Sequence, residues 1–107
     1  NEIFDQAALR RIFFKIKIDG PNQADFLKIF ALVARKRRIP LNEDALIHLL
    51  QVKYPTINNV YSNYQPVFLI DQMIAICEFE GKPLHMSPAL IDRAWSNMFV
   101  EDETIIR

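Results

Sequence analysis

The sequence predicts a mainly α domain: a four-helix bundle preceded by one short strand. Three observations predict it. Apolar residues recur at helical spacing in four stretches, beginning near Phe26, Leu46, Leu69 and Leu90. Prolines and glycines stand at the edges of these stretches, at Pro21, Pro40, Pro66, Gly81 and Pro88. Ahead of them, Phe14, Ile16 and Ile18 alternate with Lys15 and Lys17 in a strand-like run.

Size and composition agree with a packed helical domain. The chain has 107 residues, half of them apolar, with eight Phe and only two Gly. That is enough for one core and excludes a disordered segment. Thirteen basic residues balance thirteen acidic ones, so net charge gives no argument for nucleic acid or an acidic membrane. No apolar run approaches the roughly 20 residues of a membrane span. Cys77 has no second cysteine to pair with and fits a reducing compartment. Glu2 and Asp5 stand where a leader would be basic and apolar. The expected location is therefore cytoplasmic. Asn1, in place of Met, is expected to follow a cut inside a longer protein.

Residues 1–20 are read as one unit: a turn or short helix, then the strand Phe14–Ile18, ending in the turn Asp19-Gly20-Pro21. Residues 21–107 are read as the helical domain. Its first helix starts at Pro21-Asn22 and runs to Arg37. Phe26, Ile29, Phe30 and Val33 share its apolar face. The run Arg35-Lys36-Arg37-Arg38 suits the negative end of the helix dipole, and no aromatic residue interrupts it to stack on bases. A solvated helix end is the preferred reading. The second helix spans Asn42–Lys53, with Asn42 as N-cap and Leu46, Leu49, Leu50 and Lys53 on one stripe. His48 has no ligand-spaced His or Cys and reads as structural.

Residues 54–64 form a connector with three tyrosines, Tyr54, Tyr61 and Tyr64, and turn formers at Asn58-Asn59 and Ser62-Asn63. The preferred reading is rings covering the bundle edge. The competing one is a binding face. The third helix begins at Gln65-Pro66, runs to Phe79, stops at Gly81 and should be central, given Leu69, Ile70, Met73, Ile74, Ile76 and Cys77. Asp71 and Glu78 are read as solvated carboxylates and Cys77 as a core residue. The fourth helix starts at Ser87-Pro88 and buries Leu90, Ile91, Ala94, Trp95 and Met98. His85 is expected to be exposed, and Glu101–Arg107 to be a fraying tail.

No Ser/His/Asp set, Cys/His metal pattern or glycine-rich phosphate loop occurs. From spacing alone, the chain is a helical domain without its own active site.

One resemblance adds a function. The order of Phe4-Asp5-Gln6-Ala7-Ala8-Leu9-Arg10-Arg11-Ile12, the run Lys15-Ile16-Lys17-Ile18, Asp19-Gly20-Pro21 and then Gln65-Pro66-Val67-Phe68-Leu69-Ile70-Asp71-Gln72 resembles the C-terminal third of an AAA+ ATPase. The resemblance implies that residues 1–20 end an α/β nucleotide-binding core and residues 21–107 form its helical lid. It implies that Arg11, with Arg10 as second candidate, is an arginine finger reaching ATP in a neighbouring subunit of a ring. It places Pro66 and Val67 at the nucleotide-facing start of the lid helix. Valine there departs from the sensor arginine of the family, because it cannot donate to phosphate. ATP and Mg²⁺ would be cofactors of the parent protein, and its partners would be further copies and a remodelled protein substrate. Neither a membrane nor nucleic acid is expected as partner. The Walker motifs lie outside these residues, so this stretch alone is not expected to hydrolyse ATP. The alternative is a stand-alone helical module that binds a protein or nucleic acid through Tyr54, Tyr61 and Tyr64 or through Arg35–Arg38.

Overall fold

The computed structural model describes residues 6–18 and 20–106, and five α-helices make up its frame. They are α1 (Gln6–Ile16), α2 (Pro21–Arg37), α3 (Glu43–His48), α4 (Gln65–Glu80) and α5 (Pro88–Ile106). A π turn, Leu49–Lys53, and a 3-10 turn, Tyr54–Ile57, continue α3 without a break. The helical prediction holds. The strand does not: among the described residues there is none, and Phe14, Lys15 and Ile16 lie in α1.

The reason is a competing period. Leu9, Ile12, Phe13 and Ile16 are spaced i, i+3, i+4 and i+7, one face of a helix. Ile12 and Ile16 are buried in the core, and Leu9 and Phe13 pack partly against it. Phe14, on one side with Ile16 and Ile18 in the strand reading, is 84% exposed while Ile16 is buried. Alternation over five residues lost to a stripe over eight. The opening residues 1–5 and Asp19 lie outside the described residues.

Helix α2 follows its proline start, but its buried face is wider than the predicted stripe. Phe26, Leu27, Phe30, Ala31 and Ala34 are buried, whereas Ile29 and Val33 are only partly so. It ends where predicted. Arg38 takes the left-handed conformation at φ 61°, and the Ile39 N–H donates back to the Ala34 carbonyl at 3.0 Å. Gly81 ends α4 the same way, with Lys82 N–H donating to the Cys77 carbonyl at 2.9 Å.

The N-cap of α3 is Asn42, whose side chain accepts the Ala45 N–H at 2.9 Å. Ser87 caps α5, accepting the Leu90 N–H at 3.2 Å. Helix α4 lies between α2 and α5 and buries Leu69, Ile70, Met73 and Cys77, as its broad apolar surface predicts. Helix α5 buries Leu90, Ile91, Ala94, Trp95 and Met98 and runs to Ile106. No helix among the described residues is long and apolar enough to cross a membrane.

Candidate functional site

The connector between α3 and α4 is irregular but well anchored. Pro55 has no N–H to extend the α3 ladder, and just before it the turns widen, with Tyr54 N–H donating to the Leu49 carbonyl. The 3-10 turn then closes on Asn58 and Asn59, both left-handed at φ 60° and 55°. Asparagine tolerates this conformation better than other non-glycine residues. Asn59 N–H donates to the Tyr54 carbonyl at 2.9 Å, which seals the turn.

Tyr54 is fully buried. Its hydroxyl donates to Gln65 Oε1 at 2.6 Å, and the Ser62 backbone N–H donates to the same oxygen at 3.1 Å. Gln65 thus serves the connector from the first turn of α4, and Tyr64, not Gln65, occupies the N-cap position. Tyr61 stacks on Tyr54 at 4.4 Å between ring centroids, and its hydroxyl accepts from Gln23 Nε2 at 2.9 Å. Phe26 and Trp95 meet Tyr54 edge-on at 5.0 and 4.8 Å. Burial, with Tyr61 and Tyr64 nearby, pushes the Tyr54 phenol well above its ordinary range. Burial also raises Tyr61, against the bond from Gln23. Both phenols therefore stay neutral, and neither serves as a base or nucleophile near neutral pH.

The outward side of the same segment is mixed, with Thr56, Asn58, Asn59 and Asn63 exposed beside apolar side chains. Val60 is 60% exposed, Tyr64 48% and Val67 38%. A recess of about 90 Å³ opens beside them, lined by Asn22, Asp25, Phe26, Tyr61, Asn63 and Pro66 among others. It is of a size for waters or the tip of one side chain, far below the pockets of about 300 Å³ and more that hold small ligands.

The other candidate residues are scattered. Arg10 and Arg11 are exposed on α1, in mid-helix and not ahead of a strand. Pro66 is buried in the first turn of α4, and Val67 points outward beside it. Of the basic run 35–38, Arg37 pairs with Asp71 at 2.9 Å, both side chains staying nearly half exposed. His48 does have a partner that spacing did not reveal: its Nε2 donates to Asp92 Oδ1 at 2.6 Å. Lys53 reaches the same oxygen at 3.3 Å while lying 5.9 Å from the centre of the Trp95 ring. These partners come from α5, 44 and 39 residues away, so no local pattern could show them. Cys77 and His85 line one recess of about 310 Å³, but its carboxylate, Glu80, is already paired with Arg93 and Lys82. Among the described residues no group of His, Cys, Asp and Glu could hold a metal ion.

The model of a family described as a domain of unknown function (DUF8689) matches residues 22–97, and the chain belongs to that family. The match runs from the start of α2 into α5 and contains the whole connector. No curated protein and no solved structure matches the chain.

Proposed function

We propose that this domain is a non-catalytic binding module that docks a protein partner on the connector face formed by Val60, Tyr64 and Val67. One observation carries this reading. The connector's backbone and the hydroxyls of Tyr54 and Tyr61 bond to Gln65, Gln23 and the Tyr54 carbonyl, so its exposed apolar side chains are presented from a backbone held in place. Side chains presented from a backbone already held in place lose little freedom on binding. Tyrosine is a typical interface anchor.

The ATPase-lid reading stands behind this one. Its discriminating feature was a strand directly after Arg11, and that segment is helical. The side chain of Val67, in the first turn of α4, cannot itself donate to a phosphate.

The test places a photo-crosslinking residue at Asn63 in the cellular protein, with Glu78 as the control position. Binding through the connector gives one discrete protein adduct from Asn63. It is lost in Val67→Asp and persists at high salt, because apolar packing is not screened. Equal labelling from both positions, or an adduct indifferent to Val67→Asp, contradicts it. An adduct that needs ATP and disappears in Arg11→Ala returns the lid reading.

A further inference from the structure

The recess of about 90 Å³ at the connector has an unbalanced wall. Asp25 is exposed in it and is the one charged residue among the described residues that line it. Phe26 and Tyr61 form its aromatic side, with ring centroids 5.1 Å apart. Asn22 and Asn63 add exposed carboxamides, whose oxygens accept hydrogen bonds. The nearby cations belong to other hollows. A neighbouring recess shares Asn22 and Tyr61 with this one and holds Lys17. Lys28 lines a groove with Leu9, Arg10 and Phe13 of α1.

Asp25 makes no ion pair among the described residues. Compensation of the helix dipole does not account for it either. The first turn of α2 holds no acidic residue, and Asp25 lies beyond that turn, where the effect fades. The aromatic side is formed before any partner arrives: Tyr61 is stacked on Tyr54 and bonded to Gln23, and Phe26 is buried. A carboxylate beside aromatic rings selects a cation, through direct attraction and through the charge distribution of the rings. The volume admits the end of one side chain.

We propose that this recess takes the cationic end of a lysine or arginine side chain from the docked partner, held between Asp25 and the rings of Phe26 and Tyr61. The proposal rests on the partner-docking reading and adds a selectivity to it. The partner segment then carries one basic residue among the apolar ones that meet Val60, Tyr64 and Val67. An exposed ion pair alone contributes little, so the aromatic contact and the exclusion of water by the partner are what make Asp25 selective.

The test titrates N-acetyl-lysine methylamide and N-acetyl-arginine methylamide, separately, into the isotope-labelled full chain. The amide signals of Asp25, Ser62 and Asn63 are followed by nuclear magnetic resonance. The neutral controls are the same lysine probe acetylated at Nε and the citrulline analogue of the arginine probe. Saturable shifts at the recess are expected with at least one cationic probe, and the tighter of the two distinguishes lysine from arginine. Affinity should fall by about tenfold or more for its neutral counterpart, and likewise in Asp25→Asn. Circular dichroism establishes that this near-isosteric variant is folded. No saturable shift with either cation overturns the proposal. So does a neutral counterpart that binds equally, or an affinity unchanged in Asp25→Asn. No partner is present in this titration, so the two readings fail separately. Absence of a cellular adduct from Asn63 contradicts docking, whereas silent probes beside a discrete adduct contradict only the basic anchor.

Discussion

The connector and α1 reverse the usual relation between regularity and anchorage. Helix α1 is regular, yet it is tied to the rest by an apolar stripe, the Lys15–Glu43 pair and one bond from Gln51 Nε2 to the Ile16 carbonyl at 3.2 Å. The connector is irregular, yet it is fixed by a fully buried ring, a shared glutamine oxygen and two left-handed asparagines. Regular secondary structure satisfies its own backbone. An irregular segment must borrow partners, and borrowed partners fix its position in the fold. That anchorage is the physical basis for proposing the binding face on the connector. The family match separates the two in the same way, containing the connector and stopping short of α1.

The largest expected effect breaks the connector at its centre. Tyr54→Ala removes a fully buried ring that contacts Phe26, Tyr61 and Trp95. It should destabilise the domain by about 3–5 kcal/mol in chemical denaturation, as for other large aromatic truncations in cores. A loss below about 1 kcal/mol would mean that the connector is not part of the core. A smaller effect sharpens the comparison at the edge of the connector, where Lys53 precedes Tyr54. The bond from His48, together with Lys53, holds the Asp92 carboxyl below its ordinary range, against the opposing effect of burial. A depressed carboxyl stabilises the fold in full above its unfolded value of about 3.9. That contribution disappears as pH falls through the lower folded value. Asp92→Asn should therefore lower the melting temperature at neutral pH, and the gap to wild type should close below about pH 4. The side chain is half exposed, so the change should stay under about 1 kcal/mol. A gap that widens in acid would refute the sign.

Much of this fold was legible in the sequence, for identifiable reasons. Pro21, Pro66 and Pro88 mark helix starts, Gly81 marks a stop, and Asn42 and Ser87 cap as their side chains allow. Such signals are local and act through short-range sterics and hydrogen bonds. Helix α1 was misread because Phe14, Ile16 and Ile18 fit a period of two while Leu9, Ile12, Phe13 and Ile16 fit a longer one. Only burial decides between them, and burial is set by the other helices. The tyrosines were legible as a group but not as individuals. Nothing local tells that Tyr54 is buried and Tyr64 exposed, because that depends on Phe26 and Trp95 from distant helices. The partners of His48 and Lys53 on α5 were invisible for the same reason.

The rigidity of the connector is most directly measured by amide hydrogen exchange at Ser62, in the wild type and in Gln65→Ala. The N–H of Ser62 is expected to exchange slowly, at a level near that of Met73 within α4. In Gln65→Ala its acceptor and that of the Tyr54 hydroxyl are removed together. Protection at Ser62 should then fall by about 1–3 kcal/mol in opening free energy while Met73 keeps most of its own. Ser62 exchanging at the rate of an open chain in the wild type would contradict a pre-formed binding face.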